Sequence, residues 1–379
     1  MNKKSKVILL PCSSYREEIV YENLEIGLEL LGGIEKIVKK EESILLKPNL
    51  LKKAEVDKAV ITHPSVVGMF ARLMREKGYQ DLSLADSCGN GTTTRVIHGT
   101  GIDRYLEKYG IPAIDYSKGI RVEYPEGIQA KEFILPKELL EKDCVISLCK
   151  MKTHALERIT GAVKNSYGFV YGFHKAKGHT LYPSADSFAR MLVDLNQYVK
   201  PRLYIMDGIV AMEGNGPGSG DPAPMNVMLM SQDPVALDSV FCNLVHLNPE
   251  MVPTNYHGEK MGLGTWKEEE ITLLTPDGEI SMAEAVKKYG NPAFNVDRTE
   301  VRKNIWTRMA GALNIFQKKP YIEADKCVRC GICVQSCPVP GKAVDFRKGK
   351  GKPPVYDYRK CIRCFCCQEM CPKKAIKVK

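Results

Sequence analysis

Eight of the fourteen cysteines in this 379-residue chain fall in two runs of one spacing: Cys327-x2-Cys330-x2-Cys333-x3-Cys337-Pro338 and Cys361-x2-Cys364-x2-Cys367-x3-Cys371-Pro372. A shift of 34 positions lays the first run on the second, cysteines and proline together. The flanks repeat too, Lys326-Cys-Val-Arg-Cys against Lys360-Cys-Ile-Arg-Cys.

That spacing suits iron–sulfur clusters. Three cysteines at two-residue intervals wrap one corner of a [4Fe–4S] cubane, and the fourth, before proline, reaches the other cluster. Residues 318–379 thus resemble a bacterial two-cluster ferredoxin. The pattern assigns Cys327, Cys330, Cys333 and Cys371 to cluster I, and Cys361, Cys364, Cys367 and Cys337 to cluster II. Zinc is the rival ligand for Cys-x2-Cys pairs. It takes four donors, usually as two separated pairs, and has no use for the third cysteine or the Cys-Pro. Cys366 departs from the repeat, since Ile332 holds its place in the first run. It is either a bystander or an alternative ligand.

The chain carries a net charge of +10, and the cysteine-rich tail holds the whole excess: sixteen Lys/Arg face five Asp/Glu over residues 318–379. Eight thiolates outweigh two oxidised cluster cores, so part of this charge offsets the clusters. The remainder suits an acidic redox partner protein. Nucleic acid, the usual inference from a basic tail, is thereby disfavoured. The other cysteines, Cys12, Cys88, Cys144, Cys149, Cys242 and Cys366, are scattered as free thiols would be in a reducing cytosol. The expected location is cytoplasmic, with no membrane partner. No apolar run approaches the roughly 20 residues a bilayer requires. The basic, then apolar start reads as a strand ending at Pro11, not as a signal peptide.

Length and a 44% hydrophobic composition suit two or three domains, and the pattern along the chain divides them into an α/β domain over residues 1–300, a connecting helix over 301–317 and the ferredoxin-like domain over 318–379. Apolar strands near 6–11, 43–48, 82–86, 143–148, 203–210 and 226–230 alternate with helical patterns near 16–31, 64–77, 102–109, 186–199 and 234–245. The fold class expected is α/β: a mostly parallel sheet domain flanked by helices, followed by a small α+β two-[4Fe–4S] ferredoxin-like domain.

In open α/β sheets, ligands bind beyond the C-terminal strand ends. Lys47, Asn49, Asp86 and Asp207 sit at such ends. The densest polar stretch is Lys150-Met-Lys152-Thr-His154, read as leaving the strand at 143–148 and continuing to Lys164-Asn165. Lysines suit a carboxylate or phosphate, and a histidine near neutrality suits a general acid. His154, Lys152 and Lys164 are therefore the candidate catalytic residues. Lys47, Asn49, Asp86, Lys150, Asn165, Asp207 and Glu213 are candidate contacts to an anionic small-molecule substrate. The competing reading makes each lysine a solvated loop residue. His63, before Pro64, reads as a helix cap in preference to a metal ligand. Gly89-Asn-Gly91 lacks the third glycine of a dinucleotide loop. The alternating glycines at 214–220 lack the lysine-threonine ending of a phosphate loop.

Lys47-Pro-Asn49-Leu50, Thr62-His-Pro64, Lys150-Met-Lys152-Thr-His154, Thr160-Gly-Ala-Val-Lys164-Asn165 and Asp233-Pro-Val-Ala-Leu-Asp238 resemble the family known as domain of unknown function 362. Some of its members carry a C-terminal ferredoxin domain. The resemblance covers about residues 5–245 and implies an architecture without naming a chemistry. The reading that follows is an iron–sulfur oxidoreductase, delivering electrons from two [4Fe–4S] clusters to a substrate or partner at the α/β crevice. Its rivals are a plain electron carrier with a docking domain, and a non-redox sensor or maturation factor. The discriminating observation is whether Lys152, His154, Lys164 and Asn165 converge.

Overall fold

The computed structural model describes residues 4–172, 174–299 and 318–379. The helix expected over 301–317 lies outside these residues. In chain order the strands of the first part are β1 (Ser5–Pro11), β2 (Ile44–Pro48), β3 (Leu82–Leu84), β4 (Gly119–Glu123), β5 (Glu132–Pro136), β6 (Cys144–His154), β7 (Arg158–Thr160), β8 (Leu203–Glu213), β9 (Asp221–Ser231), β10 (Ile271–Thr275) and β11 (Gly278–Ile280). Nine of them form one sheet in the order β11-β10-β1-β9-β8-β6-β2-β3, with β7 added to β6. β4 and β5 make a separate hairpin.

The sheet is mixed but mostly parallel. β1, β2, β3, β6, β8 and β10 run one way; β7, β9 and β11 run against them. Strand alternation sends side chains to both faces. Ile8 and Leu10 of β1 pack with Val20 and Leu24 of helix Glu17–Leu30 and with Val66 and Phe70 of helix Pro64–Glu76. Val7 and Leu9 pack on the other face with Val240 and Phe241 of helix Pro234–Leu244. A sheet covered on both faces needs apolar strands throughout, and all five residues of β2 are buried.

Two expectations need correction. Residues 150–154 do not form a loop after a strand: β6 runs from Cys144 to His154 with all eleven residues buried. Likewise Asp207 lies inside β8, which continues to Glu213. Lysine and aspartate rarely sit fully buried unless paired, so their presence suggested a strand end. Here they pair. A third finding concerns the strand at 226–230, whose direction its apolar pattern does not reveal. β9 is antiparallel because residues 214–220 turn the chain straight back, bringing Glu213 opposite Asp221.

The second part is small. Pro320–Ile322 pairs antiparallel with Ile376–Val378, and Val344–Asp345 with Val355–Tyr356. Short helices at Ile332–Gln335 and Cys366–Glu369 follow the two cysteine loops. The sequence repeat is also a backbone repeat. Arg329 and Arg363, one shift apart, have φ of 59° and 58°, and Lys342 and Lys374 after the Cys-Pro turns have 48° and 51°.

Candidate functional site

The cysteines gather in two quartets. Cys327, Cys330, Cys333 and Cys371 line one small cavity walled by Ile322, Val328 and Ile376. Cys337, Cys361, Cys364 and Cys367 line a second walled by Val339, Val344 and Phe365. The fourth cysteine of each run crosses to the other run's quartet. Each set surrounds a space, and among the described residues no three His, Cys, Asp or Glu groups converge as a single metal ion requires. This donor chemistry fits an iron–sulfur cluster, in which each thiolate meets a different iron. Backbone N–H groups of Ala343 and Ala375 donate to Cys337 Sγ (3.4 Å) and Cys371 Sγ (3.3 Å), and Tyr356 hydroxyl donates to Cys367 Sγ (3.1 Å). Donors of this kind stabilise thiolate and tune a cluster's potential. Cys330 is exposed, giving the first quartet an edge open to water. Cys366 lines neither cavity; its thiol hydrogen-bonds that of Cys364.

The predicted crevice residues assemble from four parallel strands and the turn of helix at Ala162–Asn165. Lys47 Nζ lies 3.0 Å from Asp86 Oδ1 and donates to Asn165 Oδ1 at 3.0 Å. Asp86 Oδ2 accepts from Leu50 N. Asn49 bridges onward: its Nδ2 donates to Asn165 Oδ1 (2.9 Å), and its Oδ1 accepts from Lys152 Nζ (2.7 Å). Gly168 abuts this pair so closely that a Cβ there would stand 2.0 Å from Asp86 Oδ1 and 2.5 Å from Lys47 Nζ. Lys150 and Asp207 form a second buried pair at 2.6 Å. Asp207 also accepts from Tyr15 hydroxyl and from the backbone N–H of His63. His63 caps its helix, Nδ1 accepting from Ser65 N, and stacks on Tyr15 with ring centroids 3.5 Å apart.

None of these lysines is solvated: Lys47, Lys150 and Lys152 are at most 1% exposed. Burial lowers the pKa of Lys47 and Lys150, while Asp86 and Asp207 pull them back up. Among the described residues Lys152 Nζ meets no carboxylate and donates to Asn49 Oδ1 and Val60 O. Burial, then the charges of Lys164 and Lys150, holds it well below the usual lysine range. Lys164 is half-buried and finds no hydrogen-bond or ion-pair partner among the described residues. Glu213 stands apart, its carboxylate accepting from Asn295 N at the far end of β8.

His154 faces the cysteine-rich module. Its Nδ1 accepts from Leu156 N and Glu157 N, both at 3.1 Å, so the ring proton sits on Nε2. Nε2 lies 3.1 Å from Glu369 Oε1, close in distance but bent in angle. Burial and then Lys164 lower the His154 pKa to about 4, against the pull of Glu369. Burial opposes ionisation of Glu369, but the His154 contact and the charge of Lys164 hold its carboxyl well below the carboxylate range. Nδ1 of His154 is thus taken by two backbone donors, while its Nε2–H faces the Glu369 carboxylate without a well-aligned hydrogen bond.

Further contacts seat the module on the strand ends. Gln368 Nε2 donates to Asn215 O and Gly216 O, Asn215 Nδ2 to Ile376 O, Lys52 Nζ to Glu369 O (2.8 Å) and Lys374 Nζ to Gly220 O. A Cβ on Gly218 would meet Glu369 O at 2.6 Å, so glycine permits the approach. Sequence reading missed Tyr15, Lys52, Gln368 and Glu369. The last two had a signal: the repeat places them against Val334 and Gln335.

Residues 44–243 match the family model described as domain of unknown function (DUF362), and residues 319–372 match that of the 4Fe-4S dicluster domain. The chain belongs to the DUF362 family and carries a dicluster domain at its C-terminal end. It is 36% identical over 258 residues to the thylakoid-associated protein sll1697 of Synechocystis sp., covering 68% of this chain and 79% of that one. Two solved structures are distantly alike: the lactate racemase apoprotein from Thermoanaerobacterium thermosaccharolyticum (12% identity, TM-score 0.43, 63% of this chain and 56% of that) and a Thermotoga maritima protein (14%, 0.35, 58% and 56%). This chain spans little more than half the length of either. Among the described residues no helix is long and apolar enough to cross a membrane.

Proposed function

We propose that this protein is an iron–sulfur oxidoreductase that delivers electrons from two [4Fe–4S] clusters, one per cysteine quartet, to an anionic substrate or partner at the α/β crevice. The observation that carries the reading is the seating of the cysteine-rich module on the strand ends, with Glu369 against His154 at 3.1 Å. A plain carrier has no need of the buried polar cluster of Lys47, Lys150 and Lys152 in the domain beneath its cluster module. Bound clusters supply one-electron storage at low potential. The chain's own residues do the rest. Lys164, with no ion-pair partner among the described residues, and Lys152, whose Nζ meets only Asn49 Oδ1 and Val60 O there, suit a carboxylate or phosphate group. The two ion pairs keep the flanking strands in register. The seated module covers His154, which is 3% exposed.

The basic surface around the exposed Cys330 edge suits an acidic electron-donor protein, and the cytoplasm is the proposed location. The test is anaerobic purification with iron and sulfide analysis, then reduction by dithionite and a screen of carboxylates and phosphate esters for reoxidation. Eight irons per chain and reoxidation lost in Lys152→Met support the reading. Reoxidation equal in that variant and the parent removes the crevice from the function and leaves the plain carrier.

A further inference from the structure

The two cysteine repeats are near-identical in spacing yet differ where they face the α/β domain. Val334 and Gln335 of the first helix become Gln368 and Glu369 of the second. Gln335 is exposed; Glu369 is 7% exposed and carries a charge two residues from Cys367 and two from Cys371. A buried carboxylate there is costly unless compensated. The compensation comes from the other domain. His154 Nε2 reaches Glu369 Oε1 at 3.1 Å, and the His154 ring is locked in its Nε2–H form by two backbone donors on Nδ1.

We propose that His154 is a positioning residue for the second cluster: through Glu369 it holds the Cys364–Cys367 loop against the crevice and sets that cluster's reduction potential apart from the first. The inference rests on the two-cluster reading above. Cys337, Cys361, Cys364 and Cys367 would hold a cluster that gains one negative charge when it takes up an electron. An uncompensated Glu369 opposes that charge, and the His154 N–H dipole relieves the opposition. Hydrogen bonding and burial are the levers by which proteins tune such potentials.

The test is an EPR-monitored redox titration of the full chain. In His154→Ala one midpoint falls, by about tenfold in the reduction equilibrium (~59 mV for one electron), and the other stays. Glu369→Gln moves the same midpoint upward. His154→Gln, which keeps an N–H donor near Nε2, restores the parent value. In the Cys330→Ala background, which lacks the first cluster, the surviving signal carries the shift. Unchanged or equally shifted midpoints in His154→Ala with full iron content overturn the inference alone. A parent protein without eight irons overturns the two-cluster reading and this inference together.

Discussion

The cysteine-rich module and the crevice beneath it both bury groups that prefer water, and they do so in opposite ways. Thiolates in the module gather by local spacing around a cavity, so their burial is completed by something the chain does not supply. The crevice lysines gather from β2 and β6, and Asp86, Asn165 and Asp207 of the same chain meet them. One region is built to hold a cofactor. The other is nearly closed on itself, with Lys164 left over. The comparison teaches that an anion of the kind proposed would meet Lys164 in preference to the paired lysines.

The most damaging change should be to the module's donor set. Cys330→Ala removes one ligand from the first quartet, and iron should fall from about eight to about four per chain. Far-UV circular dichroism should show the α/β domain intact, because no element of the sheet pairs with the module. Retention of all the iron would break the assignment of Cys330.

Asp207→Ala attacks the other region. It strands Lys150 without a counter-ion at 1% exposure and takes a partner from Tyr15 and from His63 N. Breaking a buried pair from one side costs about 3–5 kcal/mol, whereas replacing both members by apolar groups can be near neutral. Urea denaturation should show that loss in Asp207→Ala and recover most of it in Lys150→Met with Asp207→Leu. An equal loss in the double variant would mean that Tyr15 and His63, not the ion pair, are the essential partners.

The same contrast explains what could be read from the chain. The ferredoxin-like module was legible because its ligands lie two or three residues apart. The strand-helix alternation was legible as well, since apolar runs buried on both faces declare themselves. Lys150, Lys152 and His154 were found by type and misplaced by structure: charge in a run suggested a loop, and only the tertiary pairing with Asp207 and Asn49 shows why a strand tolerates it. The direction of β9 depended on the connection at residues 214–220 and not on its own residues. Tyr15, some 190 positions before Asp207, carries no local mark of its role.

A smaller effect should appear on acidification. Burial, against the pull of Asp207, lowers the His63 pKa to about 4, while an unfolded histidine titrates near 6.5. The folded state therefore binds the proton less readily. Stability from this group is present above about pH 6.5 and is lost as pH falls towards 4, on the order of 2 kcal/mol. His63→Asn keeps a capping side chain and should flatten that part of the pH–stability curve relative to the parent. Parallel curves would show that His63 is not the titrating group; His154 and His179, both lowered to about 4, would be next.

The smallest effect separates how firmly the module is held from how its cluster is tuned. Most donors across the junction meet backbone carbonyls: Lys52 to Glu369 O, Gln368 to Asn215 O, Asn215 to Ile376 O, Lys374 to Gly220 O. Such contacts add affinity at about 1 kcal/mol each and place no carboxylate near a cysteine. Two side-chain contacts differ: Lys374 with the exposed Asp221 carboxylate, and His154 with Glu369, which sets a buried charge beside the second quartet. Asn215→Ala should therefore increase hydrogen exchange over residues 374–378 by about fivefold, the equivalent of ~1 kcal/mol, and leave both redox midpoints where they were. His154→Ala should move one midpoint whatever it does to exchange. If Asn215→Ala shifts a midpoint as far as His154→Ala does, loosening alone accounts for both, and the two regions are coupled by proximity and not by the charge at Glu369.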